Sequence, residues 1–182
     1  MKNQRWFDQM RRSLEQLGIE SIDVNSVVPS NRLTLDVLTF GHRLGVLSAE
    51  AVIAIELRKL KEGAALNQAE ESIALSLSVE TRDVEDALEA RFDETPDSPL
   101  VCRVWQLAIV ARLRQRWNTV GDPDVELNEF LAEWGDDGAF TTSSLAPSGF
   151  DKYFAGKGAR IRFLKRIDEL LLAEFHDLQE VH

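Results

Sequence analysis

Apolar residues recur at three- and four-residue intervals along most of this chain, the spacing of helices that bury one face. Trp6, Phe7, Met10, Leu14 and Leu17 predict a first amphipathic helix from Asn3 to Leu17, with Gly18 just past its end. Ile22, Val24 and Val27/Val28 read as a loop or an isolated extended stretch, because no second strand pattern exists to pair with it. The densest apolar pattern follows, from Thr34 to Gly63, as two helices meeting at a tight corner. The first runs Thr34 to Leu44 with Leu35, Leu38 and Phe40 inward, and either Gly41 or Gly45 can take the left-handed turn that ends it. Ser48 caps the second, Ala49 to Glu62, which is expected to bury Val52, Ile53, Leu57 and Leu60 and to expose Glu56, Arg58, Lys59 and Lys61.

Asn67 and Glu70 form a capping box for a fourth helix from Gln68 to about Ser76, with Ile73, Ala74 and Leu77 as its stripe. A fifth, Thr81 to Phe92, sets Val84, Leu88 and Phe92 on one face and Asp83, Glu85, Asp86 and Glu89 on the other. The sixth, Pro99 to Asn118, is the most apolar long element and is expected at the centre, its only charged residues being arginines. The seventh, Pro123 to Trp134, carries Asp124, Glu126, Glu129 and Glu133 with no basic residue among them. A last helix, about Ala159 to Leu178, turns Ile161, Leu164, Ile167, Leu171 and Phe175 inward. Its basic first half and acidic second half oppose the helix dipole, so neighbouring charges must compensate. The pattern therefore predicts an all-α, single-domain irregular bundle of about eight helices over residues 1–182, with long loops near 93–98 and 135–150.

Composition narrows the function classes. A chain of 182 residues with 44% hydrophobic content can bury a core without staples. The formal net charge of -10 argues against a nucleic-acid binder, which must neutralise phosphates, and favours basic partners through the summed field. The absence of a long apolar run argues against a membrane span, and a cytoplasmic location is the default expectation.

Candidate chemistry is sparse. The single cysteine, Cys102, lies on the apolar sixth helix and reads as an inert thiol. The three histidines, His42, His176 and His182, have no partners at metal-ligand spacing, so neither a metal site nor a cofactor is expected. His42, between two glycines at the corner, reads as turn packing; an enzyme there would need a deep pocket placing it beside a carboxylate. Gly156 to Arg160 lacks the phosphate-loop pattern, and Asp122, Asp124 and Glu126 lack the glycine and bidentate glutamate of a calcium loop.

What stands above this background is charge segregation. Two acidic blocks, Glu80 to Asp97 and Asp122 to Asp137, flank a helix whose charges are all basic. Acidic faces are often merely solvated; the functional alternative is a docking surface for a basic protein. The residues expected to carry it are Glu85, Asp86, Glu89, Asp93, Glu126, Glu129, Glu133, Asp136 and Asp137 as carboxylates, with Trp134 and Phe140 as apolar anchors.

The corner LTFGHRLGVLSAEAVIAIELRKL, Leu38 to Leu60, resembles the opening signature of the bacterial domain of unknown function 2247 family. The run CRVWQLAIVARLRQRWNTVGDPDVELNEFLAEWG, Cys102 to Gly135, resembles its Trp-containing helix, Asp-Pro turn and following acidic helix. The resemblance covers about Leu33 to Pro147, leaves the first helix outside, and implies an all-helical protein with no assigned enzyme activity and no catalytic residues to carry over. Proteins similar to the family turn up beside polymorphic toxin genes, which implies an immunity role. The combined expectation is a non-enzymatic antagonist of a basic, nuclease-type toxin, without nucleic acid or membrane as partner. The alternative is a helical scaffold or regulatory interaction domain that binds through an apolar groove.

Overall fold

The computed structural model is all-α and describes residues 4–76, 81–92, 98–118, 123–135, 140, 141, 145 and 158–180. Eight α-helices occur among them: α1 (Gln4–Gln16), α2 (Leu35–Arg43), α3 (Ala49–Lys61), α4 (Gln68–Ala74), α5 (Thr81–Phe92), α6 (Pro99–Gln115), α7 (Pro123–Trp134) and α8 (Ala159–Glu180). No strand occurs among the described residues. The stretch read as a loop or extended segment instead holds two single turns of 3-10 helix, Val24–Ser26 and Ser30–Arg32. The Asp23 side chain accepts from the Asn25 N–H to start the first, and the Ile22 N–H donates to Val46 O at 3.0 Å, tying the segment to the α2–α3 corner.

Helix α6 lies at the centre because its apolar residues surround its axis and do not form one stripe. Val101, Val104, Trp105, Leu107, Ala108, Ile109, Val110 and Leu113 are all buried, and α2, α7 and α8 pack on it. A buried polar residue on such a helix needs its full hydrogen-bonding capacity met. Gln106 meets it with one backbone unit: its Nε2 donates to Phe140 O at 2.7 Å and its Oε1 accepts the Phe140 N–H at 3.0 Å.

The corner forms much as its sequence dictates. Thr34 and Ser48 cap α2 and α3 by accepting from the Val37 and Ala51 N–H groups. Of the two candidate glycines, Gly45 takes the left-handed conformation, at φ +77°. Gly41 stays helical and has a different purpose. A Cβ there would sit 1.8 Å from Cζ2 of Trp105, so only glycine lets the indole lie against the α2 backbone. The same indole donates its Nε1–H to Val37 O at 2.6 Å.

Helix α8 differs from expectation in register at its start. Ile161, expected inward, is 74% exposed, while Phe163, Ile167 and Leu178 are buried, and Leu164, Leu170 and Leu171 pack partly against the core. The cause lies on α6. Arg114 pairs with Asp168, and Arg103 with Glu174 and Asp177, fixing α8 antiparallel to α6 with its acidic half against two arginines. Arg32 adds a donor, Nε to Leu178 O at 2.8 Å, in the last turn of α8. These cations are the neighbours that the inverted charge order of α8 requires.

The Gly41–Trp105 contact yields a prediction. Gly41→Ala is expected to destabilise the fold by the upper end of the ~1–3 kcal/mol of overpacking. Combining it with Trp105→Phe, which shortens the obstructing ring, should cost less than the sum of the two single changes, measured by urea unfolding.

Candidate functional site

The carboxylates singled out in the sequence fall into two separate groups. On α5, Val84 and Leu88 are buried while Asp83, Glu85, Asp86 and Glu89 are exposed, as the spacing requires. Glu85 and Asp86 form no ion pair among the described residues, and Glu89 lies 4.0 Å from Arg43. On α7, Glu129 is exposed, but Glu126 and Glu133 are half-buried, each with its Oε2 out of solvent. Glu133 Oε1 also accepts from Gln9 of α1 at 3.4 Å. Asp93, Asp136 and Asp137 lie outside the described residues.

These two groups do not form one face. Helix α5 rests on α2 and α3, whereas α7 rests on α1 and α6. Contacts run from Glu89 to Arg43, from Arg43 to Gln4 of α1, and from Gln9 of α1 to Glu133. Helix α1 therefore stands between the acidic helices, with exposed Arg5 and Arg12 on it.

Both expected apolar anchors are corrected by the structure. Trp134 is 1% exposed and belongs to an aromatic cluster with Trp6, Phe40 and Phe130; the Trp6–Trp134 centroids are 5.4 Å apart. Trp6 also donates its Nε1–H to Glu133 O at 3.0 Å. Phe140 is equally buried, its backbone held by Gln106. Both side chains are core, and in this conformation neither reaches a partner.

A buried charge cluster escaped the sequence reading. Glu56 and Lys59, expected to be exposed, are buried, with Glu56 at 0%. Lys59 Nζ donates to Leu33 O at 3.0 Å and to Glu70 Oε1 at 3.1 Å, and lies 2.9 Å from Glu56 Oε2. Glu70 also completes the α4 capping box, its Oε2 accepting the Asn67 N–H at 2.9 Å. One ammonium thus ties α3, α4 and the segment before α2 together. Burial raises the Glu56 pKa, against the opposing pull of Lys59. Burial pushes Glu70 up as well, but the Asn67 N–H, Lys59 and the Leu35 backbone outweigh it and leave its pKa lowered. A signal did exist: Val52, Glu56 and Lys59 follow one another at four- and three-residue steps, on a single helical face.

His42 is half-buried, and its Nδ1 lies 3.0 Å from Leu47 O, a turn-stabilising contact that fixes the proton on that nitrogen. It lines a cavity together with Arg11, Thr39, Arg43, Leu88 and Glu89, so a carboxylate does stand nearby. That cavity holds about 40 Å³, but His42 also borders a second one of about 320 Å³, lined with Glu20, Ile22, Val46, Leu47 and Ser48, at the lower end of the roughly 300–1,000 Å³ of small-molecule pockets. Cys102 is buried. Among the described residues no cluster of metal-ligating side chains occurs, and no helix is long and apolar enough to cross a membrane.

Helix order and packing define an all-α bundle organised around one central helix. The chain belongs to the bacterial family described as "Uncharacterized protein conserved in bacteria (DUF2247)", whose model matches residues 25–170. No curated protein and no solved structure matches it. The matched span opens inside the first 3-10 turn and closes within α8, leaving α1 outside.

The charge cluster sets the next expectation. Lys59→Met, which strands two carboxylates, should cost ~3–5 kcal/mol. Glu56→Gln should cost less, and less at pH 7 than at pH 4. Because the folded pKa of Glu56 is raised, its contribution favours the native state at low pH and is lost as pH rises through the folded value. Urea unfolding of both variants across that range measures the two effects.

Proposed function

We propose that this chain is an immunity-type antagonist that docks on a basic toxin through the outer face of α5, with Glu129 of α7 as a separate contact. The observation that carries the reading is the unequal neutralisation of acidic groups. On α8, Asp168, Glu174 and Asp177 are matched by Arg103 and Arg114. On α5, Glu85 and Asp86 form no ion pair among the described residues. Acidic side chains held on a rigid helix in a chain of net charge -10 attract a cationic surface and speed its approach. Membership of a bacterial family is compatible with this role.

A specific observation also favours a second reading, a helical scaffold that binds without charge. Ile161 and Leu172 are exposed on α8, Leu172 to 59%, and their eleven-residue separation spans about three helical turns, placing them on one face. That face would take an apolar partner whose binding is insensitive to salt.

The two readings separate by mutation and ionic strength. Against a cationic nuclease-type toxin domain, Asp83→Lys/Glu85→Lys/Asp86→Lys is expected to slow association at least ~10-fold at about 20 mM salt, with the gap closing near 200 mM. Far-ultraviolet circular dichroism should be unchanged, since all three side chains are exposed. Unaltered association by the triple variant, together with loss of binding in Ile161→Glu/Leu172→Glu, would replace the antagonist reading with the scaffold.

A further inference from the structure

The cavity between α1, α2 and α5 contains more hydrogen-bonding capacity than the protein itself uses. Thr39 is 1% exposed, and its hydroxyl oxygen has no hydrogen-bond partner. Arg11 donates from Nη2 to Arg43 O at 2.8 Å, but its Nε is buried without a partner. A buried polar atom left this way is destabilising, so two lining one cavity call for an occupant.

Charge indicates what kind. Two guanidinium groups, Arg11 and Arg43, line the cavity together with His42, and among the described residues Glu89 is the one carboxylate lining it. That carboxylate stands 4.0 Å from Arg43 Nη1 with its side chain 66% exposed, whereas Arg11 forms no ion pair among the described residues, so its positive charge is the one left to attract an anion. Arg11 Nη2 is taken by the carbonyl end of α2, while its Nε remains available. Leu88 supplies the apolar wall. Size limits the occupant as well: about 40 Å³ leaves room for one small ion or a few waters and for nothing larger.

We propose that this cavity binds a single oxyanion of phosphate or sulfate size, held by Arg11 Nε, the Thr39 hydroxyl and the Arg43 guanidinium. The planar donors of arginine suit such an ion, and Glu89 competes with it for the same cations. The site is independent of the docking reading, since it requires no partner protein.

Isothermal titration of the full chain with inorganic phosphate, and separately with sulfate, at constant ionic strength tests the assignment. Saturable one-to-one binding is expected, with chloride giving none. Arg11→Met should weaken it at least 10-fold and the near-isosteric Thr39→Val several-fold. Glu89→Gln should strengthen it by removing the competitor. Arg12→Met is the control, because that guanidinium bonds to Asp8 O on the exposed side of α1 and should leave affinity unchanged. Absence of saturable binding in the wild-type chain would mean that water fills the cavity, and the assignment would fall. Equal affinity in wild type and Thr39→Val, a change that leaves every charge in place, would overturn it too.

Discussion

The crossing of α2 over α6 rests on the absence of one side chain. Because Gly41 has no Cβ, the Trp105 indole lies against the α2 backbone and donates to Val37 O. That single contact supplies large apolar burial and satisfies the indole N–H in the same place, which a buried tryptophan requires. The rest of the first half hangs from it. Helix α2 is fixed on the central helix, Gly45 turns the chain into α3, and α5 lies on both α2 and α3. The α2–α3 corner, the densest apolar stretch of the sequence, is therefore held to the central helix by a glycine that the sequence offers as a turn former and that the fold uses for packing.

Charge is disposed of at three depths. Deepest is Lys59, whose ammonium is surrounded by two carboxylates and a carbonyl, so that removing it leaves charge buried without compensation. At intermediate depth the arginines of α6 meet the acids of α8, fixing the direction and register of the last helix. Outermost are the carboxylates of α5, of which Glu85 and Asp86 meet no cation among the described residues. An acidic protein need not have an acidic site, and here most of the arginine content is committed before α5 is reached.

Local signals were legible in the sequence and long-range ones were not. The capping residues Thr34, Ser48 and Asn67, and the glycines after α1 and α3, act within a turn of their own position, and each does what its residue type requires. Ile161 is exposed against expectation because periodicity fixes a stripe only up to rotation; the arginines that select the rotation lie 71 and 54 residues from the acids they pair with. Glu56 and Lys59 were assigned outward on residue type alone, although their spacing with Val52 placed them inward. Trp134 and Phe140 looked like anchors because they border an acidic run. What covers Trp134 is Trp6, from the opposite end of the chain, and no local pattern encodes that.

Helix α1 connects these points. It lies outside the span matched by the family, yet Phe7, Met10 and Leu14 are fully in the core, so it completes the bundle and is no appendage. It also determines which acidic helix can serve as a docking face. By holding Glu133 through Gln9 and the Glu133 carbonyl through Trp6, it draws part of α7 inward and converts carboxylates that sequence alone leaves exposed into structural ones. Its Arg11 and Gln4 meet the end of α2 on the opposite flank. The helix that closes the core on one side thus leaves α5 as the acidic surface least committed to the fold, and an acidic docking function has to be sought there.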